Sequence, residues 1–356
     1  MNTPPAPRTG LPGHGEAHAS FSALDPLSDE SSLDIGKDLS YLLRYDLYHS
    51  LSQIDIPPAL RSEFVTLTPD EPLSTSLNTL EKILAEGHFL LAAYLSGTIL
   101  TSSLISPTDV KVIFALFYTR LVCLELSGNT VLAAQESKAL EDLSSTFYYV
   151  PSSLENADAG TGGAKSDARL SYPRHIVPWP LRVLAVRLQN IGFGDSRRGI
   201  AGLYELGMEA RREIMRPGIG QEERNIWRDR LADLGIRTVN ALVEMGDFDA
   251  AKRTLNGLGT TTTESGTHKM RKALLLLVIG DLVAAKRIFE GSSDSSSAMF
   301  TPLLSMAEGR YTDAVGEWRA LLEAETQRLD EPLIAQNLAV CLLYTGALNE
   351  VRRFAA

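Results

Sequence analysis

The sequence GDFDAA at residues 246–251 decides the fold of this chain, because its pattern returns as GDLVAA at 280–285 and as GRYTDA at 309–314. In each stretch a glycine is followed by an aromatic residue or a leucine, and then by an alanine, at constant spacing. Glycine allows a tight corner that other residues resist, and alanine lets two helices touch. The pattern therefore predicts pairs of antiparallel helices that are joined through glycine corners.

The residues after each corner support the same prediction. Each alanine is followed one helical turn later by a large apolar residue, as in Ala251/Leu255, Ala285/Phe289 and Ala314/Trp318. Gly246 and Gly280 are separated by about 34 residues, which is the length of one tetratricopeptide unit. Gly346 begins a fourth corner, and weaker versions of the pattern begin at Gly87 and Gly128.

The sequence thus predicts an all-α fold, a tetratricopeptide-like α-solenoid of stacked antiparallel helix pairs. Such a stack offers an extended surface that suits proteins or peptides better than small molecules, so we expect a non-catalytic scaffold. The alternative is an ordinary helical bundle with coincidental glycines. The predicted corner and packing residues are Gly246, Phe248, Ala251, Gly280, Leu282, Ala285, Phe289, Gly309, Tyr311, Ala314, Trp318 and Gly346.

Composition divides the chain into four predicted segments. Residues 1–30 are rich in Pro, Gly, Ser and Asp and cannot bury enough apolar surface to fold, which predicts a disordered arm. Helical spacing of apolar residues predicts an N-terminal helical block at 31–150 and the repeat domain at 172–356. Between them, residues 151–171 are rich in Gly, Ser and Ala, so the domain boundary is predicted in this flexible linker.

Individual helices are also predicted. Four leucines with helical spacing indicate a helix that ends before residue 57: Leu39, Leu42, Leu43 and Leu47. Four further helices of the N-terminal block are expected at 76–86, 90–104, 108–127 and 131–143. In the repeat domain, flexible insertions at 257–268 and 291–297 are expected between helix pairs.

Charge and cysteine content limit the function classes. The formal net charge of -10 argues against nucleic acid as a partner, since phosphate binding relies on Lys and Arg. Cys123 and Cys341 have neither disulfide nor zinc spacing. The first residues lack the pattern of a signal peptide. The uncharged stretch 87–108 is diluted by Ser and Thr, so no transmembrane span is predicted.

One stretch resembles a phosphate-binding loop, AGTGGAKS at 159–166. Ala159 and Ala164 occupy the positions where this loop requires glycine, and no buried strand leads into the segment. A flexible linker is therefore the preferred interpretation.

Two other motifs are equally weak. The sequence GFG at 192–194 opens like a dinucleotide-binding loop, but Arg197 stands where a third glycine is required. His14 and His18 have the spacing of metal ligands, yet no cysteine or further histidine lies near them. We therefore predict no enzymatic activity, no cofactor, and no catalytic, cofactor-binding or metal-binding residues.

The region from 169 to 237 is rich in arginine, which predicts a local basic face. Such a face could meet an acidic partner or anionic lipid headgroups, or be a solvated helix face. A clamp for the tails of chaperones needs a lysine four residues before an asparagine on a first helix. Asn240 could supply the asparagine, but Ile236 stands in place of the lysine, which counts against this function.

Three stretches resemble a more specific family: IVPWPLRVL at 176–184, WRDRL at 227–231 and AVCLLYTG at 339–346. Their order and spacing are similar to those of subunit 12 of the trafficking protein particle (TRAPP) complex, and the resemblance covers about residues 172–356. It implies a cytoplasmic, peripheral subunit at ER–Golgi or Golgi membranes, within a tethering assembly that activates Rab GTPases in ER-to-Golgi and autophagy-related traffic. Its partners would be other TRAPP subunits, and nucleotide exchange would belong to small core subunits.

One departure from this family lies at the end of the sequence. The family continues with further helices, whereas this chain stops inside the second helix of a repeat, which predicts a truncated gene model or a terminus that a partner covers. Two other functions remain open at this point: a tetratricopeptide adaptor outside trafficking, such as a co-chaperone, and a helical enzyme with an unrecognised site.

Overall fold

The structure is a computed structural model that describes residues 24–27, 36–51, 72–150, 174–258, 266–289, 295–324, 331–347 and 349–351. Within these ranges the protein is all-α, apart from one antiparallel pair of two-residue strands, β1 (Tyr149–Val150) and β2 (Arg174–His175). Helices that are adjacent in sequence pack as pairs. The predicted fold class, an all-α array of stacked helix pairs of the α-solenoid type, is confirmed.

The described residues contain thirteen α-helices, of which five form the first group: α1 (Leu73–Ala85), α2 (Phe89–Thr101), α3 (Val110–Leu126), α4 (Thr130–Ser137) and α5 (Trp179–Phe193). The remaining eight are α6 (Ser196–Ile214), α7 (Gln221–Glu244), α8 (Phe248–Gly257), α9 (Gly266–Ile279), α10 (Leu282–Phe289), α11 (Ser295–Ala307), α12 (Tyr311–Ala324) and α13 (Glu331–Tyr344). The four helices predicted at 76–86, 90–104, 108–127 and 131–143 correspond to α1 to α4, but α4 ends at Ser137 and a 3-10 turn, Lys138–Leu140, follows where the prediction continued the helix.

The chain forms two compact units, Met1–Gly202 and Leu203–Ala356. This boundary differs from the linker predicted at 151–171, because α5 belongs to the first unit. Its apolar face packs on α4, and Leu181 and Leu188 are fully buried in the same core as Leu121 of α3. Residues 151–171 themselves lie outside the described residues.

The core of the first unit depends on two helices that are apolar on nearly every side, α2 and α3. A helix of this kind is stable only where neighbours cover it all round. On α3 the side chains of Phe114, Phe117 and Leu121 are fully buried, and on α2 those of Ile99 and Leu100 are as well. The other helices of the unit provide this cover.

The segment 36–51 differs from its prediction. It forms two short 3-10 turns, Ser40–Leu42 and Tyr45–Leu47, where a regular helix was expected. Leu39 and Leu42 are nevertheless fully buried in the core of the first unit. The helical spacing of the leucines therefore indicated burial correctly, but hydrogen bonds from Leu39 N to Pro107 O and from Arg120 to the carbonyl of His49 hold a different backbone.

Four residues of the predicted disordered arm also have a defined position, residues 24–27. Asp25 is buried, and its Oδ2 accepts a hydrogen bond of 2.9 Å from the backbone N–H of Trp179 at the start of α5. The first N–H groups of a helix have no partner within the helix, so a carboxylate placed there stabilises it. The prediction of an arm that is disordered throughout is thus wrong at this point, and the rest of the arm lies outside the described residues.

In the second unit the helix pairs are α7/α8, α9/α10 and α11/α12, and α13 packs on α12. The first helices also contact one another, α7 with α9 and α9 with α11, so that successive pairs are stacked. The insertions predicted at 257–268 and 291–297 overlap helix ends, since Gly257 ends α8, Gly266 begins α9 and Ser295 begins α11. Residues 259–265 and 290–294 lie outside the described ranges.

Candidate functional site

The glycines of the predicted corners all adopt a left-handed backbone. Their φ angles are 78° at Gly246, 88° at Gly280, 77° at Gly309 and 79° at Gly346. At one such corner Gly280 N donates to Leu277 O (3.1 Å) and Asp281 N donates to Leu276 O (2.9 Å). These two bonds satisfy the last carbonyls of α9 in the Schellman arrangement, which needs a residue with positive φ. The weaker corners at Gly87 and Gly128 have the same geometry, with φ angles of 77° and 81°.

The second helix of each pair begins two residues after its glycine. In two corners an aspartate caps it, since Asp247 Oδ1 accepts from Ala250 N and Asp281 Oδ1 accepts from Ala284 N, both at 3.0 Å. The predicted second corner residues are the first residues of α8, α10 and α12, namely Phe248, Leu282 and Tyr311.

The predicted packing alanines lie where the helices of each pair meet. Ala251, Ala285 and Ala314 are all fully buried. Of the large residues one turn later, Leu255 and Trp318 are fully buried, whereas Phe289 is half-buried, with its ring centroid 4.7 Å from that of Phe300. Trp318 also connects two helices, because its Nε1–H donates to the sulfur of Met306 at 3.4 Å.

Replacing Gly280 with alanine is expected to destabilise the second unit by about 1–2 kcal/mol, because an L-residue is strained at positive φ. The matched control is Gly316→Ala within α12, where a Cβ atom would meet nothing within 4 Å. This change is expected to stabilise by about 0.5–1 kcal/mol, since alanine is the better helix former. Urea denaturation of both variants measures the difference, and equal effects would contradict the corner geometry.

The first helices carry exposed apolar side chains, which we call the first-helix surface. It comprises Leu274 and Val278 on α9 and Leu343 and Tyr344 on α13. Met299 and Leu303 of α11 are half-buried, because they pack on the core formed by α12 and α13. The ring of Tyr344 is stacked on that of Tyr311, with centroids 4.3 Å apart. Aligned apolar side chains on one helix are uncommon on a surface that meets only water, so they indicate a candidate binding site.

The corresponding part of α7 is polar instead. Asp233 accepts from Arg237 at 2.6 Å and from Arg271 of α9 at 3.2 Å, which also shows that α7 and α9 lie side by side. Asn240 donates to the carboxylate of Glu244 at 2.9 Å. A carboxylate beside Asn240 repels the carboxylate of a peptide tail, so the geometry agrees with the departure at Ile236 that argued against a chaperone clamp.

The arginine-rich region from 169 to 237 does not form one uniform basic face. Arg216 pairs with Glu213 and with Glu223, at 3.0 and 2.6 Å. The guanidinium of Arg230 lies 4.5 Å from the ring centroid of Trp227. Part of the positive charge is therefore paired or packed within the protein, and Arg211 and Arg212 are among the arginines that remain exposed.

A buried ion pair in the first unit was missed by the sequence analysis. Arg120 of α3 forms a bidentate pair with Glu136 of α4, with Nε–Oε2 and Nη2–Oε1 distances of 2.7 Å. Both side chains are almost fully buried. The remaining donors of the guanidinium reach backbone carbonyls, Nη1 that of Ala93 and Nη2 that of His49, both at 2.9 Å. The N–H of His49 donates in turn to Glu136 at 2.9 Å.

This arrangement, which we call the Arg120 clamp, holds the segment 36–51 on the helices. The ring of Tyr48 lies over the guanidinium of Arg120 at 5.0 Å. Gly97 leaves room for the guanidinium, because a Cβ at this position would come within 2.4 Å of Nη1. Every charged atom has a partner, as buried charges require. The clamp is therefore structural, since its charged atoms are already paired with groups of the protein.

Neither cysteine is suited to nucleophilic chemistry. Burial raises the pKa of the Cys123 thiol to about 12. Burial also raises the pKa of Cys341. Since the thiolate is the reactive form, both are inert in the folded protein.

At pH 8 we expect native Cys123 to resist alkylation by iodoacetamide, because only about one thiol in 10,000 is ionised when the pKa lies four units higher. Unfolding in guanidinium should restore the ordinary pKa and give complete labelling. Peptide mass spectrometry after timed labelling measures both states. Rapid labelling of the native protein would contradict the burial of this thiol.

The weak sequence motifs have structural explanations where they are described. Gly194 ends α5 with a φ of 65°, and a Cβ at Gly192 would come within 3.0 Å of the carbonyl oxygen of Ala134. Gly194 thus ends a helix, and Gly192 allows α5 to approach α4 closely. His14, His18 and the segment 159–166 lie outside the described residues. Within the described ranges, no group of three or more His, Cys, Asp or Glu residues could hold a metal ion.

The fold and its corners define an all-α protein of the helical-repeat class. Among the helices that the structure describes, none is both long and apolar enough to cross a membrane. Comparison of the chain with protein-family models, with curated proteins and with solved structures found no match.

Proposed function

We propose that this chain is a non-catalytic scaffold that binds partner proteins, as a peripheral subunit of a TRAPP-type vesicle-tethering complex. In this role it would support Rab GTPase activation in ER-to-Golgi and autophagy-related traffic, from a cytoplasmic position at ER–Golgi or Golgi membranes. The observation that carries the proposal is the first-helix surface, which leaves apolar side chains exposed on stacked helices.

Exposure of these side chains favours a protein partner. Val278 is 62% exposed and Tyr344 is 67% exposed. Their burial against a partner would remove apolar area from water, which is the main favourable contribution in protein association. Leu274 lies one turn before Val278 on the same face of α9, so a partner can contact both.

The TRAPP assignment depends on the three stretches that resemble this family, at 176–184, 227–231 and 339–346. The first leads into α5, the second lies within α7, and the third covers the end of α13 and its corner. Trp179 and Trp227, the aromatic residues of the first two stretches, are buried. Residues that such a family would share thus serve packing, and the resemblance assigns nucleotide exchange to other, smaller subunits.

Affinity purification of the full chain from cells, followed by mass spectrometry, tests the proposal. We expect TRAPP core subunits to co-purify, and recovery of no trafficking subunit would overturn this assignment. Recovery of chaperones, together with retention on chaperone-tail peptides, would instead support the co-chaperone alternative.

A variant tests whether the partners bind at the first-helix surface. Leu274→Asp/Val278→Asp places charge on this surface, and we expect it to lose the co-purified subunits. The matched control is Val131→Asp, because Val131 is 64% exposed in the first unit, close to the 62% of Val278. Equal recovery with the double variant and with wild type would exclude this surface as the binding site.

A further inference from the structure

The solvent-facing side of α6 carries a second row of exposed apolar residues. Tyr204, Met208 and Met215 are 51%, 64% and 80% exposed. Their spacing of four and seven residues places them on one side of the helix, with Met215 directly after its last turn. The side that faces the core carries the buried residues Leu203, Leu206 and Ala210.

This row contrasts with α7, the next helix of the chain. The exposed positions of the 24-residue helix α7 are almost all polar, among them Gln221, Glu222, Asn225, Arg228, Asp229 and Asn240. Single exposed apolar residues are normal on any protein. Three large ones along one side, on a helix whose other exposed residues are charged except for Ala201, indicate a surface that another molecule covers.

Two arginines belong to the same side of α6. Arg211 lies between Met208 and Met215 at helical spacing, and Arg212 adjoins it. Both are exposed, and neither has an ion pair with any residue that the structure describes. Arg216 and Arg237 of the same unit, by contrast, are paired with carboxylates. Two positive charges thus remain for a partner.

We propose that this surface binds an acidic amphipathic segment of a partner protein. We call it the α6 stripe: Tyr204, Met208, Arg211, Arg212 and Met215. Apolar side chains of the segment would cover the tyrosine and the methionines, while its carboxylates would pair with the two guanidinium groups. Tyr, Met and Arg are the residue types enriched where protein surfaces meet, which agrees with this occupant.

A protein segment suits the stripe better than an anionic membrane. Lipid-binding surfaces use clusters of about four to eight basic residues, and the stripe contains Arg211 and Arg212 alone. Glu205 is exposed on one flank and Glu209 is half-exposed beside it, so the positive patch is narrow. It can pair with a few carboxylates of a segment, but it does not extend over the continuous negative charge of a lipid surface.

The inference rests on the proposed scaffold function only in that a scaffold can use more than one surface. Its test is carried out with purified full-length chain and without TRAPP subunits, so that failure of either proposal leaves the other intact. The probe is a fluorescein-labelled synthetic helical peptide that has Leu at i, i+4, i+7 and i+11 and Glu at the flanking positions. A second peptide replaces every Glu with Lys.

Fluorescence anisotropy at low salt measures binding of both peptides. We expect the Glu peptide to bind and the Lys peptide not to bind. Arg211→Glu/Arg212→Glu should lower the affinity for the Glu peptide by roughly tenfold or more, since close charge pairs set partner choice. The same variant should bind the Lys peptide instead. The matched control, Arg228→Glu/Arg253→Glu, has the same net charge change at exposed arginines of α7 and α8 and should leave binding of the Glu peptide unchanged.

A second variant, Tyr204→Ser/Met208→Ser, tests the apolar contribution and should also lower the affinity for the Glu peptide. Circular dichroism and the melting temperature establish that each variant is folded. Equal binding of the two peptides, or equal losses in the charge-reversal variant and its control, would overturn the proposal. Absence of binding by the Glu peptide would overturn it as well, and Arg211-dependent binding to phosphatidylcholine vesicles that contain phosphatidylserine would then assign the stripe to a membrane.

Discussion

Replacing Arg120 with methionine is expected to destabilise the first unit by about 3–5 kcal/mol, because the change leaves a buried carboxylate without its counter-charge. Glu136 is fully buried and both of its oxygens accept from Arg120. The loss should be local: backbone amides of α3 and α4, and that of His49, should exchange hydrogen much faster than in wild type. Hydrogen exchange with mass spectrometry measures this change segment by segment.

Two controls separate the clamp from ordinary surface charge. Arg187→Met removes the partner of Glu125 from a pair of 2.7 Å in which the arginine is exposed and the glutamate partly buried, and it should cost less than about 1 kcal/mol. The double variant Arg120→Met/Glu136→Leu should recover most of the stability, since no charge then remains buried. A small effect of Arg120→Met, comparable to that of Arg187→Met, would contradict the inferred role of the clamp.

The corners could be predicted from the sequence because their cause is local. A glycine at positive φ, an aspartate cap and an alanine at the helix contact all act within a few residues, as at Gly280, Asp281 and Ala285. Each leaves a pattern that repeats at the length of one helix pair. The stacking of the pairs follows from the same pattern, since every pair must cover the apolar face of the next.

The clamp and the segment that it holds could not be predicted in this way. Arg120 and Glu136 lie on different helices, and His49 is far from both in sequence. The signal that was available, an arginine in the apolar run of α3, does not identify its partner. The leucines of 36–51 have helical spacing, yet the hydrogen bond of Leu39 N to Pro107 O and those of the clamp fix a different backbone.

The predicted domain boundary failed for a related reason. Composition indicates where a chain is rich in Gly and Ser, but not which helices pack together on either side. Ile176 N donates to Tyr148 O at 2.8 Å, and β1 pairs with β2, so that backbone on both sides of 151–171 is joined. These contacts place α5 in the first unit, which only tertiary structure reveals.

The first-helix surface was implied by the repeat class, whereas the α6 stripe was not. Arginine content predicted a basic face from 169 to 237, but Arg216, Arg230 and Arg237 turned out to have partners within the unit. Only the three-dimensional arrangement distinguishes these from Arg211 and Arg212. Exposure of Met208 is likewise a tertiary fact, because methionine is usually counted as a core residue.

Replacing Trp318 with alanine is expected to destabilise the second unit by about 3–5 kcal/mol, because it empties a large site that neighbours can fill only in part. Trp318 is fully buried in one cluster with Leu338 and Cys341 of α13. Its indole N–H also donates to Met306 of α11. One side chain of α12 thus contacts the helices on both sides, and its loss should loosen the stack at this point.

Hydrogen exchange should therefore accelerate in α11, α12 and α13 of Trp318→Ala, while amides of α7 and α8 change less, since each helix pair contacts only its neighbours. The control is Tyr344→Ala, which removes a large aromatic ring that is 67% exposed and should cost less than about 1 kcal/mol. If both variants unfolded at the same urea concentration, the packing of α12 between α11 and α13 would be wrong. A large difference between them would establish that buried contacts between successive pairs, rather than the helices individually, hold the second unit together.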